Sequence, residues 1–244
     1  MVNPAFQLPS QKEKETYVHQ LFQRIASRYN IMNDLMTGGL HRQWKFQASQ
    51  LISPVESSPR LLDVCTGTGD LLFTLNRCYP NSNLVGIDFS SNMLSIAKER
   101  LNKKNIPAEL VEGDVLNLPF ESKSIDGAIV SYGLRNVSNY EKCLTELHRV
   151  LKPGARLVIL DMSHPKGLSK LMSSFYRFSI VPLMGKLFAK NANAYQYLTH
   201  SIHFYPDQEA LKALMTKSGF CNVNYRNKFD GICSIHWGNR PNST

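Results

Sequence analysis

From Arg60 to Met162 the chain alternates short apolar runs with stretches of helical spacing, and this alternation constrains the fold more than any other feature. The runs "RLLDVC", "NLVGID", "AELVEG", "IDGAIVSY" and "RLVILDM" read as strands, and several end in an acid. Between them, "DLLFTLNRC", "SSNMLSIAKERLNKK" and "SNYEKCLTELHRVL" carry apolar residues three and four apart. In the last, Tyr140, Leu144, Leu147, Val150 and Leu151 share one face, and Pro153-Gly154 is expected to stop the helix. Strands alternating with helices imply parallel strands joined by right-handed crossovers, hence a doubly wound α/β sheet. Only "DVLNLPFESKS" separates the third and fourth strands, too short for a long helix. Near the C-terminus, "GFCNVNYRNKF" and "GICSIHWG" read as two strands joined by a tight turn at Asp230-Gly231. The expectation is one Rossmann-like domain with a sheet of about seven strands, the last pair antiparallel.

Two segments fall outside the alternation. Residues 12–52 read as a helical N-terminal cap, with Val18, Leu21, Phe22 and Ile25 on one face. Residues 167–203 read as a helical insertion rich in Phe, Tyr, Leu and Met. Between them lies the core, 60–165, and after them a C-terminal helix and hairpin, 207–238. Cap and insertion are placed to cover the binding edge of the core.

Composition closes off several classes. Hydrophobic residues make up 43% of the 244, enough for a packed core. No signal-peptide pattern and no run of about 18 uncharged apolar residues occurs, so a cytoplasmic chain without a spanning helix is expected. The five cysteines are scattered and form no C-x-x-C pair, which argues against a disulfide framework or a zinc ribbon. His200 and His203 lack a nearby third ligand, so no metal is expected. The net charge of +9 suits an anionic membrane surface or a nucleic acid, but no Lys/Arg block marks a nucleic-acid tail.

The turn "TGTGD" (Thr66 to Asp70) ends the first strand and opens a helix, where open α/β sheets bind ligands. Gly67 and Gly69 allow close approach of the backbone. A dinucleotide site would continue to a third glycine, and Leu72 stands in its place. Asp63 and Asp70 would repel a pyrophosphate by about 1 kcal/mol or more at close range. A cationic, phosphate-free ligand suits the turn better, and S-adenosylmethionine is one. Asp88, ending the second strand, is placed for its ribose hydroxyls, and Asp114, after the third, for its adenine amino group. Asp70 has a plainer reading as a helix N-terminal charge.

With these residues in view, the chain resembles a known family. The class I methyltransferase pattern accounts for about residues 60–165. "YNIMNDLMTGGLHRQWK" (29–45), "YGLRNV" (132–137), "AYQYLTHSI" (194–202) and "GICSIHWG" extend the likeness to the C-methyltransferases of menaquinone and ubiquinone biosynthesis. The resemblance implies methylation of a ring carbon of a prenylated quinol, such as demethylmenaquinol, a ubiquinone precursor or a phytyl naphthoquinol. By motif match it implies donor contacts at Thr68, Asp88, Asp114 with Val115, and Ser131. Thr66 stands where the family turn usually has glycine, and Gln196 and His200 also depart from the pattern.

Carbon methylation needs an electron-rich carbon, which a quinol supplies on losing a hydroxyl proton. A phenol has a pKa of about 10, so the enzyme must assist that loss or stabilise the oxyanion. Arg135 is expected to stabilise the quinolate and Asn136 to orient it; the plain alternative is that Arg135 only pairs with a nearby acid. Tyr132, Tyr195 and His200 are candidate acceptor contacts. The greasy acceptor tail implies contact with a membrane, through residues 168–190 and the helical stretch 12–28, at the inner membrane face. A homo-oligomer is left open. Methylation of RNA or another small molecule is the alternative activity, although no "NPPY"-type strand end and no Pro-Cys nucleophile is present. A non-catalytic donor-binding scaffold is the third reading.

Overall fold

The computed structural model describes residues 39–165 and 200–242, with Val18, Asp34, Thr37 and Tyr197 singly. The helices expected in 12–33 and most of the 167–203 insertion, including the 168–190 membrane stretch, therefore lie outside the described residues. In chain order the elements are α1 (Leu40–Gln50), β1 (Arg60–Val64), α2 (Asp70–Cys78), β2 (Asn83–Asp88), α3 (Ser91–Lys103), β3 (Glu109–Glu112) and β4 (Ile125–Ser131). A 3-10 turn follows at Leu134–Asn136, then α4 (Tyr140–Val150), β5 (Leu151–Met162), α5 (Gln208–Lys217), β6 (Cys221–Lys228) and β7 (Cys233–Asn239).

The seven strands form one sheet in the order β3-β2-β1-β4-β5-β7-β6. The first five run parallel, and β7 lies antiparallel between β5 and β6, as the hairpin reading required. Both faces are covered, so the central strands are apolar on both sides. Leu62 and Val64 of β1 pack with Leu144 and Leu147 of α4 and Met215 of α5. Leu61 packs the other way, with Ala48 of α1 and Leu72 and Leu75 of α2. Side-chain caps start three of the helices: Ser90, Asn139 and Asp207 each accept a backbone N–H three residues on.

Two local expectations need correction. Pro153-Gly154 does not stop α4, which ends at Val150 and passes straight into β5. Pro153 and Gly154 sit instead in a bulge at the start of that strand, where Ile125 faces Leu151 but Gly127 faces Arg156. A proline without an N–H is tolerated at such a place. The stretch takes its backbone partners from the chain end, with Gly154 N–H donating to Arg240 O at 2.9 Å and Arg240 N–H to Ala155 O at 2.8 Å. The turn at Asp230-Gly231 is also wider than a two-residue hairpin. Lys228 pairs with Cys233, and the intervening Phe229, Asp230 and Gly231 all have positive φ.

The segment after β3 is a loop, as its length demanded. Arg149 of α4 holds it from below, donating to the carbonyls of Phe120 (2.8 Å) and Leu118 (2.9 Å). This fixes the loop that carries Asp114, Val115 and Leu116 beside the end of β2.

Candidate active site

The strand order reverses between β1 and β4, so the crevice of this sheet opens at their carboxyl ends. Both strands finish in a left-handed residue that is not glycine, Cys65 with φ 56° and Tyr132 with φ 58°. Each such residue costs about 1–3 kcal/mol and persists only where its surroundings hold it. The two ends are pressed together: a Cβ on Gly133 would lie 2.5 Å from the Cys65 Cβ. The glycine of "YGLRNV" is thus a packing requirement of the site floor.

The glycine turn lies against β2. Thr66 N–H donates to Ile87 O at 3.0 Å, and Gly67 N–H to an Asp88 carboxylate oxygen at 2.8 Å. The turn needs glycines at 67 and 69, where φ is 55° and 73°. Around it opens a cavity with two branches. The wider, about 380 Å³, is walled by Ile87, Phe89, Val115, Leu116 and Val137, with Asp114 at its rim. The narrower, about 50 Å³, is lined by Asp63, Thr66, Gly67, Thr68, Asp70, Ser131, Tyr132 and Lys45. Cys65, Asp88, Phe89, Gly133 and Asn136 line both.

The expected acids turn out to have different jobs. Asp63 is buried, accepts the Thr66 hydroxyl at 2.6 Å, and is pushed up to about 7 by desolvation. Asp88 stands at the junction of the branches, accepting backbone N–H groups from Gly67 and Ser90 (3.0 Å). Asp114 is exposed at the wide branch, and one oxygen accepts the Leu116 N–H at 2.9 Å.

Asp70 requires a correction. It does not add a free negative charge to the site. Lys45 of α1 donates to it at 2.8 Å and Arg100 of α3 at 3.0 Å. Despite the opposing effect of burial, these two cations hold its carboxyl below the usual carboxylate range. Arg100 also grips the turn, donating to the Thr68 carbonyl at 2.7 Å and to its hydroxyl at 3.1 Å.

The expectation for Arg135 also changes. Its guanidinium is buried and bonds Asp161 at 2.7 Å and the Tyr132 carbonyl, and it does not line either branch. Pairing with a nearby acid is present, at Asp161. Asn136 does reach the cavity, and its amide lies 3.4 Å from the Tyr132 carbonyl. Tyr132 lines the narrow branch, with its hydroxyl 3.8 Å from Cys233 Sγ; burial pushes the phenol well up. His200 is buried away from both branches, and burial lowers its pKa. Tyr195 lies outside the described residues.

Sequence reasoning passed over Lys45, Arg100 and Asp161. Asp161 ends a strand just as Asp63 and Asp88 do, so the same signal was present. Lys45 lay at the end of the quoted "GGLHRQWK" without a role.

The site is suited to S-adenosylmethionine. The wide branch is largely apolar, Asp88 stands where the two branches meet, and the narrow branch carries polar and charged side chains. Ser131 Oγ there is buried with no hydrogen-bond partner among the described residues, as a wall awaiting a polar ligand would have it. Comparison with known proteins agrees. Residues 10–240 match the ubiE/COQ5 methyltransferase family. The chain belongs to that family. It is an S-adenosylmethionine-dependent methyltransferase. A Pseudomonas paraeruginosa protein named ubiquinone/menaquinone biosynthesis C-methyltransferase is 41% identical over 95% of this chain and 91% of its own length. Its Pseudomonas putida counterpart is 40% identical over the same shares. Among solved structures, a methyltransferase of Thermotoga maritima superposes with TM-score 0.65 at 20% identity, covering 91% of this chain and 99% of that one. A Haemonchus contortus phosphoethanolamine N-methyltransferase gives 0.62 at 16% identity, over 82% and 52%. At these identities the structural likeness concerns the fold. Among the described residues no group of three or more His, Cys, Asp or Glu could hold a metal.

Proposed function

We propose that this protein transfers a methyl group from S-adenosylmethionine to a ring carbon of a prenylated quinol, the step that turns demethylmenaquinol into menaquinol or its ubiquinone counterpart. One observation carries the donor half of this reading: a two-branched cavity at the strand-order reversal, with Asp88 at the junction. The acceptor class is supported by the names of the relatives that are about two-fifths identical over nearly the whole chain.

The donor supplies an electrophilic methyl on a sulfonium. Residues of the chain do the rest. Asp88 takes the ribose hydroxyls, while Asp114 and the Val115–Leu116 stretch take the adenine edge. Asn136 is the polar group of the "YGLRN" turn that faces the cavity, and its amide can donate to the developing quinolate oxygen. Arg135 acts through the turn: tied to Asp161, it holds the Tyr132 carbonyl and so sets where Asn136 stands. Tyr140 is pushed up to about 12 by burial, and Tyr132 is raised likewise. Both therefore stay protonated near neutral pH and serve as wall rather than base.

The acceptor's tail places the reaction at a bilayer surface. No described helix is long and apolar enough to cross a membrane, so contact through an anionic membrane face is the form we propose. The test is methyl transfer by purified protein. With label in the donor methyl and a reduced, short-tailed demethylnaphthoquinol, label should appear on a ring carbon. Transfer to RNA and none to the quinol would overturn the assignment in favour of the alternative.

A further inference from the structure

The proposed function leaves Lys45 unused, although it is a charged group in the wall of the narrow branch. Trp44, Ala48 and Ile52, in and just after α1, pack on the sheet, which holds Lys45 beside the glycine turn. The residue is 6% exposed. A lysine so buried needs a reason, because desolvating an ammonium is costly unless it is paired.

Asp70 supplies a pair at 2.8 Å, yet Asp70 also takes Arg100 at 3.0 Å. Two cations share one carboxylate, so the trio carries one net positive charge. Lys45 has three N–H donors, and it lines the branch with Asp70 and Asp63, whereas Arg100 does not. The narrow branch thus presents a cation, Lys45, and a buried acid, Asp63, to the same ligand. The amino-acid end of the methyl donor is the complementary zwitterion, with a carboxylate and an ammonium on one carbon.

We propose that Lys45 binds the α-carboxylate of the methyl donor and Asp63 its ammonium. The inference rests on the donor reading above. Asp70 then holds the Lys45 ammonium in place between turnovers. Arg100 relieves Asp70 of its full claim on the lysine. The competing view is that Lys45 and Asp70 form only a tie between α1 and α2.

The two views separate in a binding measurement that needs no turnover. S-adenosylhomocysteine carries the amino-acid end, and 5′-methylthioadenosine lacks it. Calorimetry of both on wild type and Lys45→Met, which keeps the apolar stem, is the test. Loss of a charge-assisted hydrogen bond predicts that S-adenosylhomocysteine binds about 10- to 100-fold more weakly to the variant. Binding of 5′-methylthioadenosine, which has no carboxylate for Lys45 to meet, should change less than about twofold. Equal weakening of both ligands, or of neither, overturns the assignment. If Lys45→Met does not fold, Lys45→Gln keeps a donor for Asp70 and must show the same one-sided loss at smaller size. If wild type binds neither nucleoside, the donor reading itself falls, an outcome distinct from failure of Lys45 alone.

Discussion

At the end of β1, Asp63 is 1% exposed and has a threonine hydroxyl 2.6 Å away. Asp161, near the end of β5, is equally buried, but it faces the Arg135 guanidinium at 2.7 Å. The same residue type at the same edge of the sheet has two fates. A hydroxyl stabilises a carboxylate only partly, so burial wins at Asp63 and the group is ready to gain from a cationic ligand. The Arg135 guanidinium gives Asp161 a counter-charge, and the pair holds a turn. The partner, more than the acid, decides which end of the crevice binds and which end supports.

That contrast can be broken most directly at Arg135. Arg135→Ala strands Asp161 without its counter-charge and should cost about 3–5 kcal/mol of stability in a denaturant titration. Arg135→Met combined with Asp161→Leu should recover most of it. A fully stable Arg135→Ala that has lost turnover would instead put the guanidinium on the reacting ring.

The seam between the two ends is the next target. Gly133→Ala sets a methyl 2.5 Å from the Cys65 Cβ and should cost about 1–3 kcal/mol, with weaker binding of S-adenosylhomocysteine. Cys65→Gly in the same chain should restore part of both. Unchanged binding in Gly133→Ala would show that the ends of β1 and β4 are not one unit.

The smallest effect is a pH dependence set by Asp63. With the Asp63 pKa near 7, its carboxyl is protonated below that pH in the free protein. Binding of an ammonium favours the ionised form, so affinity for S-adenosylhomocysteine should fall about tenfold per pH unit below 7 and level off above it. Asp63→Asn should flatten the profile. The stability linkage has the opposite sign. Because the folded pKa is raised, Asp63 favours the free fold below its unfolded value and loses that contribution as pH rises through about 7. A profile that is flat in the wild type would remove Asp63 from the ammonium site.

Much of this was legible before any coordinates. The strand–helix alternation implied the doubly wound sheet, and Leu72 in place of a third glycine turned the site from a dinucleotide toward a methyl donor. Asp88 and Asn136 could be placed at the cavity because strand ends and the turns after them share one edge. The ion pairs of Arg135 and Asp70 could not be read. Their partners lie 26 residues away at Asp161, and 25 and 30 residues away at Lys45 and Arg100. No local pattern announces such pairs.

By itself, then, the sequence determined the period of the elements, the glycine turn and the family likeness, all of which depend on neighbours along the chain. Only the tertiary structure decided which buried charges are compensated. Compensation depends on distances of a few ångströms between elements far apart in sequence, where Coulomb and desolvation energies nearly balance and a single partner tips the sign.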